Sequence, residues 1–332
     1  MPTRNTNRAV SSLRDKDASP FTPGAPVPLE LFVGRSAQIE SLQRCAKQTS
    51  SGRQENVFLS GDRGIGKSSL ARFVAQLFSK DYNMLGVHVF LGGVSTVEEL
   101  VRRVFDQLLK DTHSHAWFHN IKDLFGTYVR NVGLFGVSVE FAPRPAELPS
   151  LVREFPTALK NVLDRLRDQR RGLLVVLDDI NGLGNRPDFA NWYKSLVDEI
   201  ASRHSGLPLL LMLCGLPEIR DSLSKLQPSL MRIFRVVEIE RLSDGEVAEF
   251  LQQAFGRVNT AVQPDAMKTM VQFSSGLPAL MHEIGDATYW ADTDGSVDSN
   301  DAIRGVGLAA EEVGKKYLDP SVYRAIRSDR YK

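Results

Sequence analysis

A single stretch, from Val57 to Leu70, limits what this chain can fold into more than any other. Its residues read as an apolar strand, a glycine-rich loop and an amphipathic helix, in that order. The loop fits the pattern G-x-x-x-x-G-K-[ST] at each fixed position, which Gly61, Gly66, Lys67 and Ser68 occupy. Glycine lets a backbone turn tightly around an anion, and the N-terminus of the next helix directs its N–H groups and dipole at the same place. The stretch therefore predicts a loop that binds a triphosphate.

The side chains of this loop are expected to have separate roles. Lys67 would place its ammonium near the β- and γ-phosphates, and Ser68 would offer its hydroxyl to Mg²⁺. The loop residues expected to contact the nucleotide, beside these two, are Gly61, Gly64, Ile65, Gly66 and Ser69. The alternative is a Gly/Ser turn in front of an ordinary amphipathic helix. It is less favoured because strand, loop and helix all occur in the order that the motif requires.

Composition limits the class of protein further. The chain has 332 residues, 42% hydrophobic and 24% charged, which is ordinary for a soluble globular protein of up to two domains. A net charge of +1 provides no global attraction for nucleic acid or anionic lipid. The two cysteines, Cys45 and Cys214, lack C-x-x-C spacing, which argues against a disulfide framework or a zinc site. This cysteine usage suits a reducing cytosol, and the longest apolar run, 207–216, is too short to span a bilayer, so we expect a cytoplasmic protein without membrane contact.

Strand patterns alternate with helical patterns over most of the chain. They predict an α/β fold, namely a P-loop NTPase core with a parallel sheet flanked by helices, followed by an all-helical lid domain. We expect a mobile tail over residues 1–29, the core over 30–257, the lid over 258–314 and a basic tail over 315–332. The first tail is rich in Ser, Thr, Arg and Pro and shows little periodicity, which is typical of segments without a packed core.

Residues 111–150 interrupt the alternation as an insertion in the core. Apolar and small residues alternate from Val132 to Phe141, which predicts a hairpin or an extended flap. Its apolar residues would either contact another subunit or partner, or pack on the sheet. Within the same insertion, His115 and His119 stand at i and i+4, a spacing that suits a metal. No Cys or acidic pair completes a ligand set there, so a polar helix face is the favoured interpretation.

Two carboxylates follow a second buried strand. The run Gly172–Leu177 is apolar at nearly every position, which is typical of a central parallel strand, and Asp178 and Asp179 come directly after it. Ligands of such folds bind at the carboxyl edge of the sheet, so this pair would face the P-loop if the two strands are neighbours. Asp178 would then hold Mg²⁺ through water, and Asp179 would orient or deprotonate the attacking water. Without a P-loop, two solvated acids at a strand end would be the better interpretation.

These motifs, taken in order, resemble a known group of ATPases. The set is Phe32-Val-Gly-Arg35, the P-loop, Leu177-Asp-Asp179 and Ser275-Gly-Leu-Pro278. It is similar to the AAA+ and STAND group of P-loop ATPases, in particular to the branch of origin-recognition initiators and archaeal-type ATPases, over about residues 29–290. The resemblance implies binding of ATP and ADP with Mg²⁺. It also implies that Val33 and Arg35 contact the adenine side of the nucleotide and that Pro278, opening a lid helix, presses on the base.

The chain departs from that group at several positions. Hydrolytic AAA+ machines usually have a glutamate at the position of Asp179, whereas STAND proteins have an aspartate there. The resemblance therefore implies slow turnover. Cys214-Gly215 stands where a polar sensor often occurs, and a thiol is a poor donor to a γ-phosphate. Gly276-Leu-Pro278 replaces the lid arginine common in AAA+ proteins. The remaining candidate for an arginine finger is Arg232, with Arg235 as the runner-up, and the alternative for either is a surface arginine with its stem on apolar neighbours.

Three functions remain open at this point. The first is an ATP-driven switch that hydrolyses slowly and controls self-assembly or docking of a partner protein. The second is a DNA-associated ATPase similar to initiators or transposition regulators, with DNA held by the basic tail or an oligomeric surface. The third is a module that holds nucleotide structurally. A small-molecule kinase is less favoured, because the Val-Gly-Arg and Gly-Leu-Pro segments have no evident role in one.

Overall fold

The computed structural model describes residues 16, 18–132, 138–204 and 206–317. The chain forms two compact units. The first, here called the α/β unit, comprises Arg35–Glu240. The second, here called the helical unit, comprises the described residues up to Gly34 together with those from Arg241 onward.

A five-stranded sheet forms the centre of the α/β unit. Its strands are β1 (Glu55–Ser60), β2 (Met84–Phe90), β5 (Gly172–Asp178), β6 (Leu209–Gly215) and β7 (Arg235–Glu238). They are parallel and lie in the order β2-β5-β6-β1-β7. Every residue of β5 and β6 is buried, because helices cover both faces of the sheet. The prediction of a parallel sheet flanked by helices is therefore confirmed.

The helices of the α/β unit connect these strands. They are α1 (Ser36–Ser50), α2 (Lys67–Asp81), α3 (Val97–Thr112), α4 (Phe118–Phe125), α5 (Leu148–Arg153), α6 (Phe155–Leu166), α7 (Pro187–Arg203) and α8 (Pro217–Leu226). A break at Glu154 separates α5 from α6. Pro156 explains the break, since a proline has no N–H to donate and fits only the first turn of a helix.

The insertion forms a small antiparallel hairpin. Its strands are β3 (Val129–Val132) and β4 (Ser138–Phe141). Phe141 is buried and its ring lies 5.4 Å from that of Phe105 and 5.5 Å from that of Phe125, so β4 packs on α3 and α4. The apolar flap residues fall at 133–137, outside the described residues.

The helical unit contains four long helices. They are α9 (Asp244–Arg257), α10 (Pro264–Ser274), α11 (Pro278–Ala291) and α12 (Ser299–Tyr317). Two short parallel strands, β8 (Ala261–Val262) and β9 (Ser296–Val297), accompany them, so this part is helical with one small exception. No helix formed by the described residues is long and apolar enough to cross a bilayer.

The boundary between the units differs from the sequence-based one. We expected the core to extend to residue 257, but α9 belongs to the helical unit. Its apolar face, with Val247, Phe250, Leu251 and Phe255, is buried in that unit's core. The spacing of apolar residues predicts that α9 is a helix with one apolar face, but it does not indicate in which domain that face packs.

The last part of the expected mobile tail is packed rather than free. Phe21 is buried, with its ring 5.0 Å from that of Phe255 and 5.9 Å from that of Phe250 in edge contacts. Gly285 makes room for it, because a Cβ there would lie 2.2 Å from the Phe21 ring. Residues 18–34 are therefore part of the helical unit. The first residues of the expected tail, 1–15 and 17, lie outside the described part of the chain.

Acidification is expected to destabilise the helical unit through His282. This side chain is 5% exposed, its Nδ1 accepts the backbone N–H of Thr22 at 3.0 Å, and burial lowers its pKa to about 4. An unfolded histidine titrates near 6.5, so between the two values the unfolded chain binds a proton that the folded chain does not. The stabilisation is complete above about pH 6.5 and is lost as the pH falls towards the folded pKa. Urea unfolding of the full chain should give a lower midpoint at pH 5 than at pH 7.

The control for this prediction is His282→Gln, whose side-chain oxygen can accept the same N–H but does not titrate. This variant should lose less stability than the parent between pH 7 and pH 5. His119→Gln, at an exposed histidine of α4, should behave like the parent. Equal losses in all three proteins would show that His282 does not carry the effect.

Candidate nucleotide site

The P-loop joins β1 to α2 in the conformation that its glycines allow. Gly64 and Gly66 have φ of 72° and 98°, in the left-handed region that L side chains rarely adopt. Gly61 has no space for a side chain, since a Cβ would lie 2.9 Å from Cγ2 of Ile65 and 3.0 Å from the carbonyl oxygen of Ile239. Gly66 is the N-cap residue of α2 and, being a glycine, has no side chain that could cap that end. The loop therefore presents backbone and a helix N-terminus, the elements that bind phosphate.

Lys67 lies folded over this loop. Its Nζ donates to the carbonyl oxygens of Gly61 at 2.7 Å and Asp62 at 2.8 Å. Burial lowers the pKa of Lys67, and the charges of Asp178 and Asp179 act in the opposite direction. The ammonium thus lies within electrostatic reach of both carboxylates.

Asp178 reaches the site across an intervening strand. The condition of neighbouring strands, on which a facing arrangement was expected, is not met, because β6 lies between β5 and β1. The register places Cys214 directly between Leu59 and Asp178, so all three stand at the same level of the sheet edge. The Asp pair and the P-loop therefore share one edge of the sheet with a single strand between them.

Asp179 is held in an unusual backbone conformation. Its φ is 60°, which turns the chain away from β5 immediately after Asp178. Its Oδ1 accepts a hydrogen bond from Nδ2 of Asn181, and Oδ1 of Asn181 accepts the backbone N–H of Leu216 at 3.3 Å. Asn181 thus links the loops after β5 and β6 and orients the second carboxylate. No sequence motif marks Asn181, so this contact was not predicted.

Cys214 is a buried thiol between the two halves of the site. It is fully buried, and burial raises its pKa well above the ordinary value, with Asp178 acting in the same direction. A neutral buried thiol is only a weak hydrogen-bond donor. This environment agrees with the expectation that Cys214 does little for a γ-phosphate.

His88 contacts Asp178 and was also missed. Its Nε2 lies 2.9 Å from Oδ2 of Asp178. His88 belongs to β2, at the far edge of the sheet, and reads in the sequence as one polar position within a strand. Only the pairing of β2 with β5 brings the two together.

Arg35 lies against the P-loop backbone. It is buried, with φ of 65°, and its guanidinium donates to the carbonyl oxygen of Ile65 at 3.0 Å and to that of Glu240. Arg35 is the first residue of the α/β unit and Glu240 is the last. One side chain therefore holds both ends of the unit against the loop. The predicted contact of Arg35 with adenine stays a prediction.

Two further residues predicted to contact adenine lie in the helical unit. Val33 is partly buried against the core of that unit, and Pro278 is the first residue of α11. Gly276, just before it, is confined because a Cβ would lie 2.2 Å from the carbonyl oxygen of Leu242. The Gly-Leu-Pro segment is thus a tight turn that sets where α11 begins, and its role towards a base stays a prediction.

The two candidate finger arginines differ in their surroundings. Arg232 ends a short 3-10 helix, Pro228–Arg232, and is exposed. Among the described residues, no hydrogen bond or ion pair engages its guanidinium. Arg235 lies beside Cys45, whose thiol pKa is raised to about 11 by burial, with the charge of Arg235 opposing the rise. Arg232 is therefore the better placed of the two to meet another molecule.

The histidines of the insertion make aromatic contacts. The His115 ring stacks on Trp117 at 4.6 Å, and the His113 ring meets Phe118 edge-on at 5.7 Å. Among the described residues, no three His, Cys, Asp or Glu side chains are grouped so that they could hold a metal.

Comparison with protein families gives one clear match. A family model described as "AAA ATPase domain" matches residues 31–225, which is more than half of the chain. It includes the P-loop, Asp178 and Asp179. No curated protein sequence gives a significant match.

Comparison with solved structures identifies similar folds. The ORC2 protein of Aeropyrum pernix, solved with ADPNP and ADP, has a TM-score of 0.61 at 13% identity, covering 95% of this chain and 83% of that one. A Walker-type ATPase of Pyrococcus abyssi has a TM-score of 0.56 at 17% identity, covering 95% and 80%. The ORC1 protein of Aeropyrum pernix, solved in complex with DNA, has a TM-score of 0.50 at 14% identity, covering 86% and 69%. At these identities the likeness concerns the fold.

Proposed function

We propose that this chain, which belongs to the AAA ATPase domain family, is an ATP-driven switch whose nucleotide state controls self-assembly or docking of a partner. Its family makes it an ATP-binding ATPase. The switch and its slow turnover are the proposal. The observation that carries the proposal is that the P-loop and two carboxylates lie at one edge of the sheet. The charges of these carboxylates act on Lys67.

The residues present fit a bound Mg²⁺. Ser68 and Asp178 supply the hydroxyl and carboxylate oxygens that this ion prefers. His88 engages Oδ2 of Asp178, while no described residue donates a hydrogen bond to Oδ1. Mg²⁺ held there would neutralise charge on the β- and γ-phosphates. The chain itself contributes the ammonium of Lys67 and the backbone N–H groups of the loop.

The environment of Asp179 supports the proposal of slow hydrolysis. A general base must reach the proton of the attacking water within hydrogen-bond distance. Aspartate is one methylene shorter than glutamate, and here Asn181 already engages one of its oxygens. Both features limit how well this carboxylate can follow the water. We therefore propose that Asp179 supports turnover that is slow enough for the bound state to act as a signal.

A switch also needs a group that distinguishes ATP from ADP. The two share adenine, so contacts of Val33, Arg35 or Pro278 with the base would not separate them. A ligand shifts an equilibrium only through its differential contact with the two states. Cys214 is a poor donor, which leaves an exposed arginine from a second copy as the proposed reader of the γ-phosphate. We assign this role to Arg232.

Replacing Arg232 with alanine is expected to abolish ATP-dependent assembly without changing the ATP affinity of the monomer. The reason is that the guanidinium would act on the nucleotide of a neighbouring copy rather than on its own. The coupling between nucleotide and assembly should be about 1–3 kcal/mol, the usual scale for linked sites. Gel filtration with light scattering, in ADP and then in ATP with Mg²⁺, measures the assembly. Fluorescent-nucleotide titration at low protein concentration measures the affinity.

A matched control is Arg167→Ala, at an exposed arginine that precedes β5 as Arg232 precedes β7, with β6 and β1 lying between these two strands. It should assemble like the parent. Assembly that persists in the Arg232 variant, or a parent that stays monomeric with ATP and Mg²⁺, would exclude the trans-arginine role and leave a monomeric switch.

A DNA-associated ATPase is the second candidate. Its support is the similarity of the fold to an ORC1 protein solved with DNA. The basic tail proposed to contact DNA falls mostly at 318–332, outside the described residues. Adding duplex DNA to the same gel-filtration runs separates the candidates, since only a DNA-associated protein should co-elute with the duplex. A parent that binds ATP with no measurable turnover would favour the third candidate, a module that holds nucleotide structurally.

A further inference from the structure

A hydrogen-bonded pair joins the far edge of the sheet to the nucleotide site. Nε2 of His88, on β2, lies 2.9 Å from Oδ2 of Asp178, at the end of β5. Asp178 is 2% exposed, and the His88 side chain is mostly buried too. A buried carboxylate and a buried imidazole each need a partner, because an unsatisfied polar group in this position is costly.

The backbone register accounts for the pair. Phe90 stands opposite Asp178, so His88, two residues earlier, points to the same face of the sheet. Phe90 lies over the imidazole, with ring centres 4.6 Å apart and planes 20° from parallel. Val87 and Val89, which alternate with these residues, are buried on the other face. The strand thus presents one polar side chain, held in place by an aromatic ring, at the level of the carboxylate.

The contact limits how the carboxylate can turn. His88 engages Oδ2, and no described residue donates a hydrogen bond to Oδ1. One oxygen is therefore tied to the protein, and the other is left for a ligand. Side chains that hold a metal are commonly fixed in this way by a second hydrogen bond, which sets their orientation.

We propose that His88 is a positioning residue that orients Asp178 towards Mg²⁺ at the nucleotide site. The inference rests on the proposed function, since it assumes that Asp178 serves a nucleotide-bound ion. The role requires an N–H donor at the position of Nε2 and no change of protonation. It also gives a reason for a histidine in a strand whose other buried members are apolar.

A simpler interpretation is that the pair only satisfies two buried polar groups. The two interpretations differ in what a donor-preserving substitution does. Glutamine places an N–H near the position of Nε2, whereas leucine fills similar space without a donor. A purely structural role would change stability and nucleotide affinity together, with or without Mg²⁺.

The test is a magnesium titration of nucleotide binding in the full chain. A fluorescent ATP analogue is titrated into the parent, His88→Leu and His88→Gln, in EDTA and at a series of Mg²⁺ concentrations. His88→Leu should need about 10-fold more Mg²⁺ for half-maximal enhancement of binding, the lower end of what loss of such a partner costs. Its affinity in EDTA should match the parent. His88→Gln should restore most of the magnesium dependence, and thermal unfolding checks that each variant is folded.

His119→Leu is the matched control, because it makes the same chemical change at an exposed histidine of α4. It should titrate like the parent. An unchanged magnesium dependence in folded His88→Leu overturns the inference, as does an equal loss of affinity with EDTA and with Mg²⁺. A parent whose nucleotide binding does not respond to Mg²⁺ at all would instead contradict the proposed site itself.

Discussion

Lys67→Ala is expected to weaken ATP binding about 100-fold, which corresponds to about 3 kcal/mol. The ammonium lies over the loop that should hold the phosphates and within electrostatic reach of two carboxylates. Losing a charge-assisted contact in such a partly buried site removes one of the stronger interactions available to a phosphate. The fold should survive, because within the described part of the chain Lys67 donates only to loop carbonyls and takes no part in the hydrophobic core. Isothermal titration with ATP and Mg²⁺ measures the change.

Lys80→Ala provides the comparison for that experiment. Lys80 is an exposed lysine in the last turn of the same helix, α2, so the two variants remove the same charge from opposite ends of one element. The Lys80 variant should bind ATP like the parent, and both should unfold near the parental temperature. Parental affinity in the Lys67 variant would show that the P-loop is not the site of nucleotide binding.

The parts of this site that the sequence predicts are those whose signals are local. The P-loop is a contiguous pattern in which each glycine answers a backbone requirement, as the positive φ of Gly64 and Gly66 confirms. The residues of β5 before Asp178 form a contiguous apolar run, and such a run is typical of a strand that is buried on both faces of a parallel sheet. Asp178 directly follows the apolar residues of this strand, so the sequence also predicts that it lies at the carboxyl edge of the sheet.

The contacts between distant segments could not be predicted. His88 and Asp178 are brought together only by the pairing of β2 with β5. The order of the strands likewise depends on which helices cover which face of the sheet. No local sequence pattern therefore indicates that β6 lies between β1 and β5. Asn181 acts through two loops, and loop contacts follow from the fold rather than from periodicity.

The assignment of segments to units failed for a related reason. Residues near Phe21 have the polar, proline-rich composition of a tail. The Phe21 ring nevertheless packs in the core of the helical unit, in space that Gly285 leaves open because it has no side chain. Composition averages over a window and does not register one such anchor. The helix α9 was assigned to the core because it follows the last strand, although its apolar face packs in the helical unit.

Asp179→Asn is expected to slow ATP hydrolysis about 100-fold or more, within the range that a positioned general base contributes. An amide cannot take a proton from water, whereas its oxygen can still accept the hydrogen bond that Asn181 donates to Oδ1. The loop geometry and ATP binding should therefore remain close to those of the parent. Asp178→Asn should do the opposite and weaken the Mg²⁺-dependent part of binding. Phosphate release under saturating ATP and titration of a fluorescent ATP analogue separate the two effects.

Asp62→Asn is the control, because it neutralises an exposed carboxylate of the P-loop whose charge also reaches Lys67. If the loss of turnover came from altered charge around the lysine, this variant would be slowed as much as Asp179→Asn. If Asp179 acts on the attacking water, the Asp62 variant should hydrolyse ATP near the parental rate. Equal turnover in the parent and the Asp179 variant would mean that this carboxylate takes no part in hydrolysis. Measurable turnover would then have to depend on another group at the site, whereas an absence of turnover in both proteins would favour a nucleotide held as a structural element.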